Sequence, residues 1–203
     1  ILVKGTIIAN GTASSKITFT SLTGANSSGA TILKFKGTNL SNSQLSHIKM
    51  EKAAESLHIG EETESNQGDK NTGTLTVSYI EIVGAKITTD GYQTTAKLVL
   101  KNATIDSTTV LGASPRSEPI DIIDSTIKNS TVQSDSYNQG IKVENSTATD
   151  SNFLIGCCGA NMTLKGSTVS DSTIKDDNTY YDFTIQDSTI VNTPIDLRNA
   201  NTV

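Results

Sequence analysis

The chain repeats itself. From residue 120 onward the same unit recurs every 21 residues, through four copies with no drift. Ile120, Ile141, Met162 and Phe183 form one apolar column, and Ile122, Val143, Leu164 and Ile185 form a second. Ile127, Ala148, Val169 and Ile190 form a third, and Val132, Phe153, Ile174 and Ile195 a fourth. Polar columns run between them: Ser125, Ser146, Ser167 and Ser188, then Thr126, Thr147, Thr168 and Thr189. Next come Asn129, Asp150, Asp171 and Asn192, followed by Ser130, Ser151, Ser172 and Thr193. A fixed period of this length means stacked units that cannot bury their apolar faces alone.

The unit continues upstream with small changes of length. The Leu98–Ile105 copy precedes the Ile127 copy by 22 residues, and Leu75, Val77 and Ile82 lie 23 residues before that. Leu45, Ile48 and Met50 lie 32 residues earlier still. The polar stretch over residues 60–73 accounts for the extra length and reads as a loop inserted into one coil. The expectation is one domain over 1–203, most regular over 120–197.

Helical repeats are longer and rich in Ala, Leu, Glu and Lys. Here the apolar residues sit two and five apart, in short β-branched runs broken by Asp, Asn, Ser and Gly. Those are strand and turn signals. The predicted fold is all-β: a single-stranded parallel β-solenoid with coils of about 21–23 residues. Apolar columns become stacks inside it. The Ser column (Ser125, Ser146, Ser167, Ser188) and the Asn/Asp column (Asn129, Asp150, Asp171, Asn192) become hydrogen-bonded ladders at its corners.

The Ile-x-Ile-x-Asn/Asp-Ser-x-Ile unit resembles the right-handed parallel β-helix superfamily of pectate-lyase-like proteins and microbial surface proteins. The run Gly5-Thr-Ile-Ile-Ala-Asn-Gly-Thr12, followed by Ile17-Thr-Phe-Thr-Ser21, is similar to the opening coils of such surface helices. The resemblance implies right-handed winding and speaks to fold alone. The five-residue spacing of Ile122, Ile127 and Val132 is also similar to a pentapeptide-repeat square helix, and that is the alternative.

Composition narrows the function. Net charge is -5, and Arg116 and Arg198 are the only arginines. That is not the basic footprint a nucleic-acid binder needs. No apolar run approaches the ~20 residues of a transmembrane span. The polysaccharide-cleaving members of the resembled superfamily imply a catalytic Asp trio with His-Gly and Arg-Ile-Lys motifs. Neither His47 nor His58 precedes Gly, no Arg-Ile-Lys occurs, and the sole Asp-Asp pair, Asp176-Asp177, falls in an expected loop. Both histidines read as ordinary strand-face residues. The expectation is therefore no catalytic residue, no resident metal and no cofactor.

Three surface features are candidates for interaction. The loop after the last apolar column brings Tyr137, Cys157, Cys158, Tyr180 and Tyr181 to one solenoid edge. Aromatic residues are enriched at interfaces. Asp135, Asp176 and Asp177 share this edge and could hold Ca²⁺. The adjacent cysteines fit a half-buried pair, a strained vicinal disulfide or bridges to neighbouring chains. Next, Thr126, Thr147, Thr168 and Thr189 should face solvent, a weak likeness to an ice-binding array spoiled by Lys128 in the neighbouring column. Last, Asn-X-Ser/Thr sequons at Asn10, Asn26, Asn39, Asn102, Asn129, Asn145 and Asn161 are glycosylation acceptors if the chain is secreted in a glycosylating organism.

The functional expectation is a non-enzymatic extracellular or cell-surface protein. It would be a self-associating solenoid subunit of a sheath, surface layer, filament or adhesin, partnered by like subunits and in contact with polysaccharide or cell wall. No capping helix is readable at either end, so the ends are expected to meet more chain or neighbouring molecules. The alternatives are a carbohydrate-binding module or polysaccharide-active β-helix, and then an ice-binding protein.

Overall fold

A computed structural model describes residues 1–20, 31–60, 71–89, 95–112, 120–135, 140–156, 160–176 and 182–197. Strands take up most of this, and one short 3₁₀ turn, Leu40–Asn42, is the helical element among the described residues. Every pairing between named strands is parallel, the arrangement of a β-solenoid. Each regular coil lays down three strands. In one of them these are Ile120–Ile123 on a first face, Thr126–Lys128 on a second and Thr131–Ser134 on a third. The third face stacks into a nine-stranded parallel sheet.

The registers match the sequence columns. Ile120 pairs with Ile141, Ile141 with Met162 and Met162 with Phe183. Leu98 pairs with Ile120, and Leu75 with Leu98. The long step upstream is present too: Leu45, Ile48 and Met50 pair with Val77, Ile80 and Ile82. Here the first two faces are covered by single long strands, Gln44–Glu51 and Thr72–Val83, which turn the first corner at His47 and Tyr79.

The core is the set of inward columns. Ile122, Ile127 and Val132 are fully buried, as are Leu164, Val169 and Ile174 two coils on. Removing such a side chain from water is worth roughly 1.5–3 kcal/mol. Stacking therefore holds the coils together, and no large aromatic core is needed.

Two corners turn the chain from face to face, and both use left-handed backbone. Asp124, Asn145 and Asp187 (φ 51°, 50° and 51°) turn the first corner, and Asn129, Asp150, Asp171 and Asn192 turn the second. Asn and Asp tolerate this region better than other non-glycine residues. A Ser follows each such residue, or Thr193 in the case of Asn192, and closes the turn. Ser125 Oγ donates to Ile123 O (2.7 Å) and accepts from Ala103 N–H one coil back (2.9 Å). Ser125 N–H in turn donates to Ser146 Oγ, Ser146 N–H to Ser167 Oγ and Ser167 N–H to Ser188 Oγ (3.0–3.1 Å). The second corner carries a matching ladder: Thr108 N–H to Ser130 Oγ, Ser130 N–H to Ser151 Oγ, and Ser151 N–H to Ser172 Oγ. These hydroxyls satisfy buried amides that strand pairing misses. The Asn/Asp column makes fewer cross-coil bonds, Asn129 to Asp106 (3.1 Å) and Asn192 to Asp171 (3.2 Å) among them.

The loop expected over 60–73 ends sooner than the sequence suggested. Residues 61–70 lie outside the described part, but the strand Thr72–Val83 has already begun by Thr72. Asn71 is 1% exposed and structural. Its amide donates to Phe35 O (2.9 Å) and accepts from Thr38 N–H (3.2 Å). Asp176 also departs from expectation: it is the last residue of the strand Thr173–Asp176 and is buried, not in a loop.

Candidate interaction surfaces

The outward residues form columns as straight as the inward ones. On the second face Thr104, Thr126, Thr147, Thr168 and Thr189 pair in unbroken register, and all five are exposed. The column beside it reads Asp106, Lys128, Thr149, Ser170 and Val191. Toward the N-terminus this face becomes charged: Lys16 pairs with Glu81 (2.9 Å), and Lys49 bridges Glu51 (2.8 Å) and Glu81 (3.6 Å). Hydrogen bonds from Asn129 and then Ser107 hold the Asp106 carboxyl below its ordinary pKa.

The first face carries a cleft of roughly 290 Å³ lined by Lys97, Asp121, Gly140, Ile141, Lys142, Asn161 and Thr163. Lys97 Nζ pairs with Asp121 (2.8 Å), whose side chain is largely covered. Lys142 pairs with Glu144, a bond that holds the Glu144 carboxyl below its usual range. Gly140 is required where it stands, because a Cβ there would overlap the Asn161 backbone one coil on. The lining offers ammonium, carboxylate, amide and hydroxyl groups within one small hollow.

Two sites were not foreseen. On the first corner the half-buried ring of His47 and the exposed ring of Tyr79 stack with centroids 4.5 Å apart and planes 13° from parallel. His47 is thus a corner residue (φ 50°), not the strand-face residue expected. On the third face His58 is 4% exposed, with Nδ1 3.0 Å from Glu55 Oε2, and Thr31 Oγ1 donates to the same carboxylate (2.7 Å). Burial pushes the Glu55 pKa up, but hydrogen bonds from His58 and Thr31, with the His58 charge, outweigh it and bring it down to about 2. Neither pairing has a signal in the repeat, since each is local to one or two coils.

The remaining sequence candidates are placed unevenly. Tyr137, Cys157, Cys158, Tyr180, Tyr181, Arg116, Arg198, Asp177 and the sequon at Asn26 lie outside the described residues. Asp135 and Asp176 are within them, and among the described residues no three His, Cys, Asp or Glu side chains converge on a metal-sized point. Of the other sequons, Asn102, Asn129 and Asn145 turn corners (φ 49–51°). Asn10 and Asn39 are exposed, and Asn161 lines the cleft. Among the described residues no helix is long and apolar enough to cross a membrane.

Comparison with known proteins adds little beyond the fold. No family model matches the chain, and no curated protein matches it. Among solved structures it is similar to HetL, a pentapeptide-repeat protein involved in heterocyst differentiation regulation from the cyanobacterium Nostoc. The identity is 12%, over 98% of this chain and 92% of that one, with a TM-score of 0.22. So low a score supports no inference about this chain, whose own strand registers make it a parallel β-solenoid.

Proposed function

We propose that the chain is a non-enzymatic structural protein of the cell surface or extracellular space. In this reading it is a self-associating solenoid subunit of a sheath, surface layer, filament or adhesin, of the right-handed parallel β-helix superfamily. One observation carries the reading: the in-register Thr column of the second face, which presents one identical group per coil along the rod. A surface that repeats along its axis suits many weak, identical contacts with another regular surface, and such contacts multiply in strength. Short polar side chains also let two rods approach closely. Glycosylation at the exposed sequon Asn39 and contact with polysaccharide or cell wall belong to the same proposal. The test is sedimentation velocity and negative-stain microscopy over a concentration series. Ordered multimers are expected, and Thr147→Glu with Thr168→Glu should abolish them by placing like charges face to face. A wild-type protein that stays monomeric at millimolar concentration overturns the reading.

The cleft on the first face favours a second reading, a carbohydrate-binding module. A hollow of this size with ammonium, carboxylate, amide and hydroxyl groups suits one polyhydroxylated ring. A glycan array answered by wild type but not by Lys97→Ala would place this reading first.

A further inference from the structure

The first corner is turned by the same backbone in coil after coil. Gly11, His47, Tyr79, Asn102, Asp124, Asn145, Gly166 and Asp187 occupy one column along the rod. From His47 onward all of them have φ between 50° and 57°. That region suits Gly, Asn and Asp, admits His, and penalises a bulky ring such as Tyr. Five of the seven use Asn, Asp or Gly. Tyr79 breaks the rule, and its exposed ring stacks on the half-buried ring of His47 one coil back. A bulky ring on a backbone state that the other coils give to Asn, Asp or Gly points to a use for the side chain.

The surroundings say what the use is. The column position one coil before His47 belongs to Gly11, whose N–H donates to Ser46 O. It has no side chain, and a Cβ there would lie 2.5 Å from His47 O. The stack therefore stops at His47 with no third side chain beyond it in the column. Beside the stack, on the first face, Asn10 donates to Gln44 (3.1 Å) and accepts from the Ser46 hydroxyl (3.1 Å). Each amide nitrogen carries two donors, so this cluster keeps hydrogen-bonding capacity in reserve. On the second face the nearby charges are already paired, Lys16 and Lys49 with Glu81. The neighbourhood is a flat aromatic shelf with the Tyr79 ring exposed, neutral amides and a hydroxyl on one side, and paired charges on the other.

We propose that the His47–Tyr79 shelf is a binding subsite for a neutral pyranose ring. The sugar's C–H face stacks over the rings, and its hydroxyls bond to the Asn10, Gln44 and Ser46 cluster. The shelf is separate from the Lys97 cleft and needs nothing from the assembly reading, so the two stand or fall apart.

The test is NMR of the intact chain carrying ¹³C-labelled His and Tyr, titrated with cellohexaose, maltohexaose and xylohexaose, and separately with adenosine. At least one saccharide should shift the His47 and Tyr79 ring signals with concentration. In Tyr79→Asn and His47→Asn, which install the residue found at the same corner at Asn102 and Asn145, affinity should fall at least about tenfold. The Tyr79→Asn thermal midpoint should hold or rise, which a purely structural ring would not allow. No ring shift with any saccharide, or binding unchanged in both variants, overturns the proposal. So does a stronger response to adenosine, which would give the shelf to a nucleobase.

Discussion

At the scale of single residues the solenoid depends on a few hydroxyls and is strained by others. Ser146 Oγ accepts from Ser125 N–H (3.0 Å) and donates to Glu144 O (2.8 Å) in a buried corner. Ser146→Ala leaves an amide without a partner. It should lower unfolding free energy by about 1–3 kcal/mol in urea denaturation, since the unmade bond costs more than a made one contributes. Ser134 and Thr89 point the other way. Both are buried, and among the described residues neither hydroxyl has a hydrogen-bond partner. Thr89→Val keeps the shape and removes the desolvation cost, so it should raise stability by about 1 kcal/mol in the same experiment. Glu55 adds a pH dependence. Its folded pKa of about 2 lies below the ordinary value of 4.5, so its contribution is present above pH 4.5 and disappears as pH falls toward 2. The melting temperature of wild type should drop across that window more steeply than that of Glu55→Gln, by the equivalent of on the order of 2 kcal/mol. Parallel pH profiles for the two proteins would show that Glu55 contributes no such term.

At the scale of strands and turns, the sequence announced whatever repeats. The columns through Ile122, Ile127 and Val132 gave the strands, their inward faces and the pairing partners. Even the 32-residue step from Leu45 to Val77 was readable, because parallel pairing preserves order along the chain. What occurs once or twice was not readable. Asn71 looked like loop because it closes a polar run, yet it is a buried plug satisfying Phe35 and Thr38 backbone groups. His47 looked like a strand residue, and nothing in the spacing marked Tyr79, because a Tyr at a left-handed corner runs against local preference. The His58–Glu55 pairing depends on which strand residues a neighbouring part of the chain covers, and no period encodes that. Glycines divide the same way. Gly112 has ordinary room around a Cβ, with its nearest neighbour at 3.8 Å, whereas a Cβ on Gly140 runs into the Asn161 carbonyl. Gly112→Ala should therefore stabilise by about 0.4–1 kcal/mol. Gly140→Ala should destabilise by about 1–3 kcal/mol, because backbone of the next coil would have to move. Thermal denaturation of the two variants side by side reads the difference in sign.

At the scale of the whole molecule, each coil touches only the coils before and after it, so stability is set by neighbour interfaces and not by one central core. Interior coils have an interface on both sides: Ile122, Val143 and Leu164 are all buried. The coil over 182–197 has its described partner on one side only, and Ile185 and Ile195 are 40% and 45% exposed in columns that are closed one coil earlier. Opening should therefore begin there and travel inward. Amide hydrogen exchange of the 203-residue chain is expected to show the amides of Phe183–Ile190 exchanging well before those of Ile120–Ile127, at a free energy below that of global unfolding. If the chain associates side by side through the Thr face, raising the protein concentration should slow exchange of the second-face amides of every coil alike. Association through the coil at 182–197 would instead protect that coil selectively. Uniform, concentration-independent exchange over all coils would contradict both the neighbour-only architecture of the stability and the assembly drawn from its surface.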